Sequence, residues 1–170
     1  EYVKKAAREL VRRLGPKDRL SLVAYDNQVQ TPVRPRAVDE KRVFKQAIDE
    51  LRTGGTTNLS GGWLQGCEFV GSGLSEKGVN RVLLLTDGLA NVGVTEPARL
   101  EAMARAKRAE GISTTCFGVG AGFNEDLLRR MAADGGGAFY FIDSPDQAPI
   151  FFAEELTDLY NVVGQNLMIR

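Results

Sequence analysis

The sequence is 170 residues long, 43% hydrophobic and 26% charged, which is enough apolar surface for one sizeable core and too little chain for two ordinary domains. Its 22 Lys and Arg residues equal its 22 Asp and Glu residues, so no global basic field exists to attract nucleic acid or anionic lipid, and neither is expected as a partner. The lack of histidine excludes catalytic triads with an imidazole base and the commonest zinc sites.

The first segment carries Val3, Ala6, Ala7, Leu10, Val11 and Leu14 at helical spacing, with Lys4, Lys5, Arg8, Glu9, Arg12 and Arg13 on the other face. It predicts an amphipathic helix stopped by Gly15 and Pro16. The charges of this stretch are unlike a secretory leader, and no apolar run approaches the roughly 18 to 20 residues of a membrane span. A chain that opens inside a helix is expected to have lost its natural N-terminus. Arg19–Tyr25 follows as a buried inner strand, and Asp26-Asn27 turns the chain into a short strand at residues 28–33, which Pro32 and Pro35 mark as an edge.

Asp39 is the expected cap of a helix with Val43, Phe44, Ala47, Ile48 and Leu51 on one face, and the Gly- and Thr-rich residues 53–60 end it. A helix over 60–70 contains Gly61, Gly62 and Gly66, which weaken it intrinsically and point to close packing on a sheet. Its Trp63 reads as core or helix–sheet contact, with an exposed partner anchor as the alternative. Residues 81–86 should form the most buried strand and end on Asp87. Helix 95–109, strand 113–119, helix 124–133 and strand 138–142 come next. Ser144, Pro145 and Gln147 resemble a capping box opening a helix that carries Ala148, Phe151, Phe152, Leu156, Leu159 and Tyr160. Residues 166–170 alternate like the start of another strand. Cys67 and Cys116 lie in apolar segments without CxxC spacing and read as small buried hydrophobes.

Strands alternating with helices imply an α/β, doubly wound, mostly parallel sheet covered on both faces, with ligands at the carboxyl ends of the strands. The strands at 19–25, 81–86, 113–119 and 138–142 should run parallel, and the one at 28–33 antiparallel at an edge. Two strand-end loops stand out, Gly55-Thr56-Thr57-Asn58 and Thr86-Asp87-Gly88. On residue chemistry alone, Asp87-Gly88 could be a simple turn and Thr57 a helix-capping hydroxyl. Gly118, Gly120 and Gly122 imitate a dinucleotide loop, but Phe123 stands where the third glycine of G-x-G-x-x-G must pack. Glu125 and Asp126 suit the dipole of a helix start.

Four motifs in order carry a family resemblance. They are Gly54–Leu59, Leu85-Thr86-Asp87-Gly88 with Asn91 and Gly93, the entry Pro16–Asp26, and Phe117–Gly120 with Asn124 and Glu125. Together they resemble bacterial von Willebrand factor type A domains over nearly the whole chain. The resemblance implies a metal-ion-dependent adhesion site (MIDAS), built in the family from an Asp-x-Ser-x-Ser loop after the first strand, a threonine and an aspartate. Thr57 matches the threonine and Asp87 the aspartate, and the two should lie at one end of the sheet within reach of one ion. The expected cation is Mg²⁺, or Mn²⁺ or Ca²⁺, and an acidic group of a protein partner or adjoining domain would complete it. No Asp-x-Ser-x-Ser occurs, so the first central strand is expected to be absent and metal binding weak. Residues 1–164 are assigned to this domain and 165–170 to the start of a following strand or domain.

The function expected is therefore non-enzymatic binding. The alternatives are a metal-assisted phosphoryl hydrolase using Asp87, opposed by the lack of histidine and of a lysine-bearing phosphate loop, and a structural domain whose site is unused.

Overall fold

A computed structural model of the chain describes residues 2–52, 55–144 and 146–160. The described residues form, in order, α1 (Tyr2–Arg13), β1 (Arg19–Tyr25), β2 (Val29–Ala37), α2 (Lys41–Glu50), α3 (Leu59–Gly71), β3 (Arg81–Thr86), α4 (Pro97–Ala109), β4 (Ser113–Val119), α5 (Glu125–Asp134), β5 (Gly136–Ile142) and α6 (Ala148–Tyr160). The assignments of residues 161–170, including the expected strand start at 165–170, lie outside the described residues.

Strands β3, β4 and β5 pair in parallel, with Arg81 opposite Ser113 and Thr86 opposite Gly118. Parallel neighbours need crossovers, and α4 and α5 supply them. β1 pairs antiparallel with β2 alone, with Leu22 opposite Val33. No ladder joins β1 to β3, so the four expected parallel strands do not form one hydrogen-bonded sheet: β3–β5 do, and β1 stands apart.

Alternation along the strands assigns the two faces. Leu84 and Cys116 pack with Leu59, Trp63, Leu100 and Met131 under α3, α4 and α5. The next residue along β4, Phe117, faces the opposite way and packs with Leu10 of α1 and Phe152 of α6, stacking on the Phe152 ring at 4.3 Å. A third cluster joins Val11 of α1 to Val33, Phe44 and Ile48 beneath α2. Helices thus cover both faces, the doubly wound architecture that the strand–helix alternation predicts.

Four local expectations need correction. The most buried strand is β4, not β3: β4 has neighbours on both edges, whereas β3 alternates buried and half-buried residues. β1 is half-buried rather than buried for a related reason. Its edge opposite β2, together with β3, lines a cleft of about 1570 Å³, also bordered by Leu10 of α1, by Leu14 just past the end of that helix, and by Trp63 and Gly66 of α3. Asp39 does not cap α2; its carboxylate accepts the Glu40 amide at 2.9 Å, and Glu40 is the N-cap, without a side-chain bond. α6 begins at Ala148 rather than in the Ser144–Gln147 box, because the Gln147 side chain accepts the Asp143 amide at 3.1 Å and is spent on the preceding turn.

Other sequence readings hold. Trp63 is 1% exposed and donates to the Thr114 hydroxyl at 3.1 Å, so it is core. A Cβ on Gly62 would lie 2.3 Å from the Tyr25 ring, which is the close approach that the α3 glycines permit. Phe123 fills the space over Gly118, where a Cβ would come within 2.2 Å of its ring. That loop therefore holds an aromatic side chain. Cys67 and Cys116 are free and buried.

Two predictions follow from this packing. Gly62→Ala forces Tyr25 off its seat and should cost about 1–3 kcal/mol in urea unfolding. Gly71→Ala, whose Cβ would meet Ile112 at an ordinary 3.5 Å, should change stability by less than about 0.5 kcal/mol. The second concerns pH. Burial pushes the Cys67 thiol up to about 12 and raises Cys116 as well, so the folded state holds protons that unfolded thiols release near pH ~8.5. Their contribution is full below that pH and declines as pH rises. Stability should therefore fall as pH rises above about 8.5, where unfolded thiols begin to ionise and the buried ones do not; a flat profile would contradict it.

Candidate metal centre

The site begins with how β3 ends. The buried Thr86 hydroxyl donates to the Gly88 carbonyl at 3.1 Å and accepts the Gly88 amide at 3.3 Å. This local turn ties the threonine side chain to the main chain that follows it and leaves Asp87 exposed at the carboxyl end of the strand. The loop before α3 is fixed from two sides. The Asn58 amide donates to the Asp26 carbonyl at 2.7 Å, tying the loop to the end of β1. Asn91, in the loop after β3, holds Thr57 by its main chain: the Thr57 amide donates to Asn91 Oδ1 at 2.7 Å, and the Thr57 carbonyl accepts the Asn91 amide at 3.1 Å.

Asn58, not Thr57, caps α3. Its Oδ1 accepts the Gly61 amide at 3.0 Å and a hydrogen bond from the Ser60 hydroxyl at 3.4 Å, and Ser60 Oγ accepts the Val94 amide at 2.9 Å. With the cap supplied, the half-buried Thr57 side chain turns toward β3: its hydroxyl oxygen lies 3.1 Å from where a side chain on Gly88 would begin, one residue on from Asp87. Gly93 closes the same loop at φ 76, with Ser60 Oγ 2.5 Å and Asn58 Oδ1 2.6 Å from the position of a Cβ. A third loop joins them, since a Cβ on Gly122 would meet the Asp87 carbonyl at 2.6 Å. Three glycines thus let three loops, one between α2 and α3 and two at the ends of β3 and β4, approach one another by their main chains.

The structure therefore brings the two sequence-selected residues, Thr57 and Asp87, into adjoining loops. They offer one hydroxyl and one exposed carboxylate, both hard oxygen donors of the kind Mg²⁺, Mn²⁺ or Ca²⁺ takes. They fit part of such a set and do not complete it: among the described residues, no three His, Cys, Asp or Glu side chains group as metal ligands. The clamp by Asn91 and the tether by Asp26 were not foreseen from sequence as supports of the site. Asn91 stood out only as part of a motif, and its reach to a loop 34 residues earlier leaves no periodic trace.

Comparison with known proteins agrees with this fold. The family model of the von Willebrand factor type A domain matches residues 1–157, and the chain belongs to that family. It is 30% identical over 159 residues to the uncharacterized protein YfbK of Escherichia coli, covering 93% of this chain and 28% of that protein. It is 25% identical over 179 residues to human inter-alpha-trypsin inhibitor heavy chain H4, covering 99% of this chain and 18% of that one. The chain therefore spans well under half the length of these relatives. Among solved structures, a von Willebrand factor type A protein from Catenulispora acidiphila superposes with a TM-score of 0.78 at 21% identity, covering 90% of this chain and 36% of that one. Proximal thread matrix protein 1 from the mussel byssus, described with a zinc-occupied MIDAS motif, superposes with a TM-score of 0.67 at 21% identity, covering 91% and 41%.

Replacing Asn91 with Ala removes the partner of the Thr57 amide. Amide exchange at Thr57 should quicken about fivefold, corresponding to about 1 kcal/mol for one hydrogen bond, with the β4 core amides unchanged.

Proposed function

We propose that this chain is a non-enzymatic protein-interaction module whose contact is a divalent cation held in part by Thr57 and Asp87. The cation is completed by an acidic side chain of a partner protein or of an adjoining domain. The observation that carries the reading is the approach of the Thr57 hydroxyl to within 3.1 Å of the Gly88 Cβ position, next to the exposed Asp87. An ion held between these adjoining loops would draw one hard oxygen from each. Few carboxylates around a divalent ion leave it net positive, so an incoming Asp or Glu supplies both a ligand and charge neutralisation. The family membership and the MIDAS motif in the name of the mussel protein support the same reading. Mg²⁺ is the cation proposed, with Mn²⁺ or Ca²⁺ as substitutes.

Two donors are too few for useful affinity, because each missing ligand leaves the ion to water. Isothermal titration of Mg²⁺ and Mn²⁺ into the chain should therefore give weak or no binding. A version extended at its N-terminus by a strand and an Asp-x-Ser-x-Ser loop should bind measurably, and Asp87→Ala in it should weaken binding about tenfold or more. Equal affinity in the chain and the extended version would defeat the proposal.

A further inference from the structure

The sequence contains Asp-Gly twice, at Asp87-Gly88 and Asp134-Gly135. In such a pair the main chain readily attacks the carboxyl group before it, because glycine has no side chain to shield its amide nitrogen. The two pairs have the same local chemistry, and the fold treats them differently. Asp134 is the last residue of α5, and its carboxylate accepts a hydrogen bond from Arg105 at 2.8 Å. The Gly135 amide donates to the Met131 carbonyl at 2.8 Å, and Gly135 keeps right-handed geometry at φ −77 and ψ −3. Carboxylate and nitrogen are thus both engaged, and bringing them together would break an ion pair and a helix-end bond at once.

Asp87 and Gly88 have neither restraint. Among the described residues, no hydrogen bond or ion pair holds the Asp87 carboxylate. The partner of the Gly88 amide is the Thr86 hydroxyl at 3.3 Å, longer than the roughly 3.2 Å that bounds ordinary N–H···O bonds. The surroundings leave room for the peptide group to turn. A side chain on Gly88 would begin 3.1 Å from the Thr57 hydroxyl, and one on Gly122 would begin 2.6 Å from the Asp87 carbonyl; neither is present. Asp87 is exposed and Leu89 is 56% exposed, so water reaches the peptide group from both sides.

We propose that Asp87 is a site of spontaneous main-chain isomerisation, which the fold permits there and suppresses at Asp134. The Gly88 nitrogen forms a bond to Asp87 Cγ and gives up its proton. One carboxylate oxygen takes that proton and a second from solvent and leaves as water, closing a five-membered imide. Water then adds back. Breaking the bond from nitrogen to Cγ restores aspartate, whereas breaking the bond from nitrogen to the original main-chain carbonyl carbon leaves the chain running through Cγ as isoaspartate. The mass is unchanged and nothing is oxidised or reduced. Isoaspartate carries one more methylene in the main chain and its free carboxylate directly on Cα, so the charged group moves away from its place at the end of β3. One consequence rests on the metal reading: the proposed centre loses the carboxylate that Asp87 supplies and so has a chemical lifetime.

The test is peptide mapping of the chain after warm incubation at neutral pH without divalent cations, folded and in concentrated urea. Residues 82–99 form a tryptic peptide in which Asp87 is the one aspartate. Isoaspartate appears as a second chromatographic peak of equal mass, and electron-transfer fragmentation places it within each peptide. In the folded chain it should accumulate at Asp87 at least about tenfold faster than at Asp134, given the bonds that must break at the second site. In urea the two rates should agree within about threefold, because the restraint belongs to the fold. A folded chain that forms none at Asp87, or that forms it equally fast at both sites, would overturn the proposal. So would a tenfold preference that persists in urea, which would assign the difference to neighbouring sequence. No metal enters the measurement, so its failure is distinct from a failure of the cation titrations.

Discussion

The hydrogen bond from the Tyr25 hydroxyl to the Leu85 carbonyl joins two sheets that share no ladder, and the candidate site depends on it. Tyr25 precedes Asp26, whose carbonyl holds the Asn58 amide and with it the Thr57 loop; Leu85 precedes Thr86 and Asp87. The bridge therefore registers the two halves of the site at one end of the molecule. Its own support is Gly62, since any side chain there would occupy the space of the tyrosine ring. α3 packs on β1, β2 and β3 and spans the gap that main-chain pairing leaves. Enclosure by packed atoms holds the phenol of Tyr25 well above its ordinary pKa, so it stays a donor across the physiological range.

A second set of buried polar contacts fixes the layers. Thr115 donates to Glu155 at 2.7 Å, and Arg81 reaches the same carboxylate oxygen, linking β3 and β4 to α6. A charge pair so enclosed adds little net stability, because desolvation offsets most of the attraction. It does penalise any other register of α6, since a slip would leave Glu155, 1% exposed, charged and unpaired. Apolar contacts such as Phe117 on Phe152 tolerate small slides, so the polar contact is what specifies which turn of α6 faces the sheet.

The parts of this fold that were legible in the sequence are those encoded by short-range periodicity. Ala6 and Leu10 repeat at helical spacing and are buried; Cys116 and Phe117 alternate and face opposite layers. What escaped depends on neighbours far away in the chain. β3 reads as the most apolar strand, yet its burial is set by what lies at its free edge, and sequence does not report that. Asp39 and Ser144 are good capping residues by type, but a cap needs a particular backbone direction; Glu40 holds the N-cap position of α2, and the Gln147 side chain is spent on the Asp143 amide. For the site, Thr57 and Asp87 were found by motif, whereas the Asn91 clamp and the Tyr25 bridge were not, because each joins segments dozens of residues apart through one side chain.

The glycines explain why the site is shallow. Gly88, Gly93 and Gly122 remove the side chains that would hold the three loops apart, so main chains make the floor and Asp87 stands exposed above it. The three hydrophobic clusters lie beneath and beside this end, none of them containing Thr57 or Asp87. On the proposed reading, the fold and the cation are thus largely uncoupled. The core is built without the ion, unlike small domains that fold only around their metal. The ion's free energy is then available for the partner's carboxylate rather than for folding, which suits a contact meant to form and dissolve without unfolding its carrier.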